Sequence, residues 1–268
     1  MSLAQFSTPS SSFTFLPPPP VTAPPPSLRC YNSRPSISTT SRSSTTLTNI
    51  LNSGVIACLR AQSADVALEA ARAAISGGIS VLEIVVSTPG VFEVLHQLAQ
   101  DFPNTTLGVG TVLNTKDAEN AKNAGAKFIM SPAIVKGIMD QDTDDLLYIP
   151  GVMTPTEILS SYSDGAKIVK VYPISAIGGV QYIATLKKPF PHIPMVASQG
   201  ITTDSVGAYI DKGAAAVILS DAIFDKKAIS QRNFNAIYQL AQLAAFQGNE
   251  AVKRKRSTPA NFMETCVF

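Results

Sequence analysis

From Thr48 to about residue 246 the chain alternates short apolar runs with longer stretches of helical spacing. Val55 to Leu59, Val81 to Val86, Thr106 to Val109, Phe128 to Met130, Leu146 to Ile149, Ile168 to Tyr172, Met195 to Ala197 and Ala215 to Leu219 are the apolar runs. Such β-branched and aliphatic runs predict strands buried on both faces. A short helix through Ile50 and Leu51, ending at Gly54, precedes the first of them. Helices are predicted over 64–76, 90–101, 115–124, 133–140, from Thr154, and over 179–188, 203–212 and 229–246, with Val91, Val94, Leu95 and Leu98 typical of the spacing. Thr154-Pro155-Thr156-Glu157 sets a capping residue before a proline at the first helical position. About eight strand–helix units predict a parallel sheet covered by helices, and that number fits a closed (β/α)8 TIM barrel at the compact end of its range. An open doubly wound sheet is the competing architecture, since the same alternation serves both.

Outside that span the texture changes. Residues 1–47 are crowded with Ser, Thr and Pro, carry Arg29, Arg34 and Arg42, and the first acidic residue of the chain is Asp65. An Arg-bearing, acid-free, Ser-rich N-terminus has the composition of an organelle transit peptide, and its Ser and Pro content favours a plastid (stromal) address. Such a segment buries too little apolar area to offset its ordering entropy, so it is expected to be disordered; a Pro-rich linker is the alternative. The barrel is expected over 48–247, and 248–268, with Lys253-Arg254-Lys255-Arg256, as a solvated basic tail. The 268 residues are 45% apolar and 15% charged, with a net charge of +2, which gives no reason to expect nucleic acid as a partner. No apolar run reaches the ~18 residues a membrane span needs. Cys30, Cys58 and Cys266 are too few and too scattered for a disulfide framework or a zinc site.

Candidate chemistry follows from the barrel rule that active-site side chains project from the C-terminal ends of strands. Lys170 stands inside the apolar run that Pro173 ends, and Glu83 inside Val81 to Val86. Each is costly to bury unless it is paired or used. An amine freed of its proton by desolvation is the nucleophile that makes an imine with a carbonyl, and a nearby carboxyl group can shuttle protons. The bland readings are a lysine whose head reaches water and a structural ion pair between the two. The two histidines, His96 and His192, fall in a helix and a Pro-flanked turn, so neither a metal site nor a Ser-His-Asp triad is well supplied. Gly77-Gly78 and Gly108-x-Gly110 lack the third glycine of a dinucleotide motif and are read as turn chemistry.

Several blocks then occur in order: Gly77 to Ile84, Gly108-Val109-Gly110-Thr111-Val112, Phe128 to Pro132, Pro150-Gly151-Val152-Met153-Thr154-Pro155-Thr156-Glu157, and Ile168 to Pro173. Together they resemble the 2-keto-3-deoxy-6-phosphogluconate (KDPG) and 4-hydroxy-2-oxoglutarate (KHG) aldolases of the Entner–Doudoroff type, over about Gly54 to Phe224. The resemblance implies a class I aldolase on a TIM barrel, usually a homotrimer, that needs no metal or other cofactor beyond a covalent imine on Lys170. Its substrate would be a small 2-oxo acid split to pyruvate and an aldehyde. Glu83 would move protons, Thr111 and Pro132 would line the pyruvate end, and Tyr172 would pack beside the imine. Many members carry an arginine four residues after the glutamate, where this chain has Ser87; Arg60 could take part of that charge. The phosphate end departs further: Ser198-Gln199-Gly200 and Leu219-Ser220-Asp221 replace glycine-rich turns, and Ser175 replaces a carboxylate. These departures imply weakened phosphate affinity. The rival readings are a catalytically silent barrel that binds a metabolite or partner protein, and a phosphate-binding barrel isomerase or synthase.

Overall fold

The structure is a computed structural model that describes residues 41–140 and 145–257. Cys30 and Cys266, most of the expected transit segment and the end of the tail lie outside the described residues.

The elements run α1 (Arg42–Ser53), β1 (Val55–Leu59), α2 (Ala64–Ser76), β2 (Val81–Val85), α3 (Val91–Asp101), β3 (Thr106–Gly110), α4 (Thr115–Asn123), β4 (Phe128–Met130), α5 (Lys136–Met139) and β5 (Leu147–Ile149). They continue as β6 (Gly151–Val152), α6 (Pro155–Ser163), β7 (Val169–Val171), α7 (Gly179–Lys187), β8 (Met195–Ser198), α8 (Val206–Asp211), β9 (Ala216–Leu219), α9 (Lys226–Ser230) and α10 (Phe234–Ser257). The strands form one parallel sheet in the order β5-β4-β3-β2-β1-β9-β8-β7-β6. Its two edges are consecutive in the chain. The expected fifth strand is broken at Pro150, which has no N–H for a ladder; Ile149 O on one side accepts from Ser131 N, and Pro150 O on the other accepts from Lys170 N at 2.8 Å. One interrupted strand thus closes the TIM barrel, and the open-sheet alternative is set aside.

The two-residue period of each strand sorts side chains between two cores. Ile56, Val81, Phe128, Met130, Ile149, Ile168, Val196 and Ile218 fill the barrel interior. Ala57, Leu59, Leu82, Ile84, Val109, Val169, Val171 and Val217 pack outward against the helices. The alternation that puts Ile56, Val81 and Ile168 inside also turns Cys58, Glu83 and Lys170 inward, one pleat nearer the C-terminal ends.

The boundaries shift at both termini. Residues 42–47, expected within the disordered segment, are the first half of α1. Ser41 caps this helix by accepting from Ser44 N, and Gly54 ends it at φ +68°. Leu47 and Ile50 join the interior core, Asn49 donates to Thr106 at 2.9 Å, and Lys167 donates to Ser43 at 2.6 Å. All of these partners sit at strand starts, so α1 stoppers the N-terminal mouth. A chain trimmed to begin at residue 48 is therefore expected to be less stable than one beginning at residue 41, by about 2–4 kcal/mol from the lost cap and the uncovered Leu47. Thermal unfolding of the two checks this, and equal midpoints would contradict it.

The basic run is solvent-exposed as expected, but it is the last turn of α10 and not a separate tail, ten residues past the expected boundary. Lys255 donates to Ala214 O at 2.9 Å, and Arg254 lies 3.8 Å from Asp211. Cations belong at a helix C-terminus, where the carbonyl dipoles point. The expected helix at 203–212 opens as a 3-10 turn (Thr203–Ser205) before α8, and the final helical region is two helices, α9 and α10. Among the described residues no helix is long and apolar enough to cross a membrane.

Candidate active site

The C-terminal ends of the strands enclose a cavity of about 540 Å3. Arg60, Glu83, Thr111, Pro132, Lys170, Tyr172, Ser198, Gln199, Gly200 and Ser220 all line it. Ser87 does not. It lines an adjoining cavity of about 600 Å3, which shares Cys58, Arg60, Val85, Ser220 and Asp221 with the first. Ser87 follows the end of β2, where Thr88 N donates back to Val85 O and the Thr88 hydroxyl accepts from Ala61 N, so the chain turns away from the barrel axis before Ser87 can face it.

Lys170 is 7% exposed and Glu83 1%. Among the described residues neither they nor Arg60 belong to any ion pair, which removes the structural ion pair as an account of the two. Nζ of Lys170 lies 5.6 Å from the centre of the Tyr172 ring, a cation–π distance that keeps the amine at the cavity wall. Oε2 of Glu83 is buried without a hydrogen-bond partner. A buried carboxylate oxygen left unsatisfied costs about 1–3 kcal/mol, so its persistence points to a group that arrives with substrate.

Room for that carboxyl group is made by Gly110. A Cβ there would fall 1.4 Å from Oε1 of Glu83, and one at Gly108 would meet the Phe128 ring at 2.5 Å. Both glycines lie inside β3, so the expected turn role is corrected: they are strand positions emptied for their neighbours. Cys58, which the sequence reading assigned no role, faces Glu83 directly in the β1–β2 register. Burial pushes its thiol well above the usual range, and the charge and hydrogen bond of Glu83 act in the same direction, against Lys170 and Arg60. The signal that could have found it was period two: Ile56, Cys58 and Arg60 share one side of the strand.

Two non-glycine residues of the lining hold left-handed backbone, Thr111 at φ +60° and Gln199 at φ +90°. Such conformations cost about 1–3 kcal/mol and persist where surrounding structure enforces them. Behind Thr111, Val112 N donates to Met130 O at 3.0 Å and Ser131 donates to Val112 O at 2.6 Å, with the Tyr148 hydroxyl donating to Ser131 in turn. This network fixes Thr111 and Pro132 together. On the opposite wall the Ser175 hydroxyl donates to Oε1 of Gln199, which ties two of the departures from the expected pattern to each other. Asp221, the added negative charge, lies 3.4 Å from Lys226, an exposed pair that offsets part of its field.

A profile of the family described as KDPG and KHG aldolase matches residues 47–240. The chain belongs to that family. With membership come carbon–carbon bond cleavage, a Schiff base and release of pyruvate with an aldehyde. The KHG/KDPG aldolase of Escherichia coli K12 is 26% identical over 202 residues, 75% of this chain and 95% of its own. The 2-dehydro-3-deoxy-phosphogluconate aldolase of Pseudoalteromonas atlantica is 32% identical over 145 residues, 54% of this chain and 67% of its own. A solved KDPG aldolase from Legionella pneumophila, holding pyruvate as a covalent carbinolamine intermediate, superposes with a TM-score of 0.68 at 26% identity, covering 74% of this chain and 97% of that one. The KDPG and KHG aldolase family thus agrees with the fold, and with the amine chemistry that Lys170 offers.

Proposed function

We propose that Lys170 is the imine-forming residue and Glu83 the proton carrier of a class I aldolase that needs no metal or added cofactor and acts on a 4-hydroxy-2-oxo acid. The observation that carries this reading is a buried amine, unpaired among the described residues, sharing one cavity with a carboxyl group that has a free oxygen. Nζ attacks the 2-oxo carbon to give a carbinolamine, and Glu83 supports loss of water by protonating the leaving hydroxyl. The resulting iminium is the electron sink. Glu83, now a carboxylate, takes the proton of the C4 hydroxyl; the C3–C4 electrons move into the iminium, and an aldehyde leaves. The enamine regains a proton at C3, and water releases pyruvate from Lys170. Tyr172 covers the imine, while Thr111 and Pro132 hold the pyruvate end. Borohydride reduction in the presence of pyruvate tests this directly, since it should fix a mass adduct on Lys170; an intact protein that forms none would support the silent barrel.

The released aldehyde is not phosphorylated. Support comes from Gln199, which brings a side chain where backbone amides would otherwise stand open, and from Asp221, which lines the same cavity. Arg60, with its guanidinium unpaired among the described residues, holds a substrate carboxylate in the place of an arginine at position 87. Measuring kcat/KM on phosphorylated and non-phosphorylated 2-oxo acids, in the native protein and in Arg60→Ala, reads both claims. The native protein should prefer the non-phosphorylated acid, and the substitution should raise its KM about tenfold or more with kcat little changed, the scale of a charge-assisted hydrogen bond. A strong preference for the phosphorylated sugar acid would contradict the first claim, and an unchanged KM the second. A plastid address, supported by the N-terminal composition, and a homotrimer, supported by the resemblance, complete the proposal.

A further inference from the structure

We infer that Gln199 makes this site selective for a 4-hydroxy-2-oxo acid whose aldehyde end is uncharged and hydroxylated, with Ser175 as the residue that positions its amide. This rests on the reading of the cavity as a class I aldolase site and names the substrate within it.

The two residues come from neighbouring loops. Ser175 lies in the 3-10 turn Ile174–Ile177 that follows β7, and Gln199 directly follows β8. Gly200 makes room for their approach: a Cβ there would stand 2.6 Å from both Cβ and Oγ of Ser175. Gln199 and Gly200 both hold left-handed backbone, at φ +90° and +70°. One position of this turn is thus emptied for Ser175, while the other keeps a side chain where glycine would sit without cost.

The orientation of the amide decides its chemistry. The Ser175 hydroxyl donates to Oε1 of Gln199. Gln199 lines the cavity, and Ser175 is not among its lining residues. The acceptor oxygen is therefore occupied from outside. What Gln199 presents to the cavity is Nε2, whose N–H donors have no hydrogen-bond partner among the described residues. Those donors call for an oxygen on the substrate.

Charge then selects which oxygen. The cations that line this cavity are Arg60 and Lys170, and both are engaged at the other end of the substrate, on its carboxylate and its 2-oxo carbon. Lys226 lines only the adjoining cavity, 3.4 Å from Asp221. Toward the aldehyde end there remain neutral donors and the carboxylate of Asp221. A phosphate or carboxylate placed there would lose water without gaining a counter-charge, beside a group of its own sign. A hydroxyl accepts from Nε2 and donates to a carboxylate at no such cost. The substrate class that fits is a 2-oxo-3-deoxy sugar acid without phosphate, cleaved to pyruvate and a neutral hydroxyaldehyde.

The first test compares acids that share the pyruvate half. One is a 2-oxo-3-deoxy hexonic acid with a free terminal hydroxyl, the second 4-hydroxy-2-oxoglutarate, and the third 4-hydroxy-2-oxopentanoate, which ends in a methyl group. The native kcat/KM should be highest on the hydroxylated acid, by about tenfold or more over the dicarboxylic one. Gln199→Met keeps the length of the side chain and removes the amide. Its loss on the hydroxylated acid should exceed its loss on the methyl-ended acid by about three- to tenfold, the scale of one neutral hydrogen bond. Ser175→Ala should move that ratio the same way by less. A damaged fold lowers both substrates together and leaves the ratio in place. An unmoved ratio in Gln199→Met, or a native preference for the dicarboxylic acid, overturns the inference.

The second test reads binding without chemistry. By calorimetry, Lys170→Met should hold the hydroxylated acid about three- to tenfold more tightly than Lys170→Met/Gln199→Met does, with a smaller difference for the methyl-ended acid. Equal differences for the two acids overturn the inference. Failure of the native protein to trap pyruvate on Lys170 would sink the imine assignment alone, since the calorimetric arm needs no turnover.

Discussion

Lys170→Met is expected to gain no mass from pyruvate and borohydride, while the native protein gains one reduced pyruvate adduct. Turnover should fall by a factor of about 10^4 or more, because every covalent step passes through Nζ and, among the described residues, no other amine lines the cavity. Methionine is the informative replacement. Lys170 is 7% exposed with Nζ 5.6 Å from the centre of the Tyr172 ring, so an unbranched apolar side chain of similar length keeps the packing and removes only the chemistry. Intact-protein mass spectrometry after reduction, with thermal unfolding alongside, separates lost chemistry from lost fold. A trapped adduct on the Lys170→Met protein would show that another amine is the nucleophile.

The second large effect comes from a residue with no side chain. In Gly110→Ala the added methyl group would stand 1.4 Å from Oε1 of Glu83, a distance no rotamer adjustment of β3 can absorb. The carboxyl group must leave its place, and kcat should fall about 10^2- to 10^4-fold, the usual share of a general acid–base group. Gly108→Ala is the control. It drives a methyl group into the Phe128 ring at 2.5 Å, in the interior core and away from the chemistry, so its main cost should be stability, about 1–3 kcal/mol. Steady-state kinetics and thermal unfolding on both variants check the contrast. If Gly110→Ala kept native turnover, the carboxyl group of Glu83 would not be in the reaction.

These two predictions mark how far the sequence could be read. Lys170 and Glu83 were legible because a charged side chain in an apolar strand violates an otherwise regular pattern, and the Thr154 to Glu157 block declared its capping box, in which Glu157 accepts from Met153 N and Thr154 N. Gly110 and Cys58 were not legible, because their meaning lies in register. Cys58 meets Glu83 across a ladder, and no local pattern says which residue will stand opposite. The strand beyond Pro150 was likewise hidden: the apolar run Leu146 to Ile149 stops at the proline, and only closure of the barrel shows that Gly151 and Val152 continue it to pair with β7 while the first part pairs with β4. The first half of α1 was lost to composition, since Ser43, Thr45 and Thr46 continue the Ser/Thr texture of the preceding segment, yet Ser43 and Thr46 are buried. Ser87 stands in the adjoining cavity because of the turn that follows β2, which counting four residues from Glu83 does not show.

The plug of Leu47 and Ile50 has a kinetic corollary. With the floor closed among the described residues, traffic into and out of the reaction chamber passes the rim, where Arg60 and Asp221 stand. Departure must then follow depth: the aldehyde, held by nothing covalent, goes first, and pyruvate, tethered below it, can only go second. Added pyruvate should therefore compete with the substrate for the empty protein, whereas added aldehyde should not.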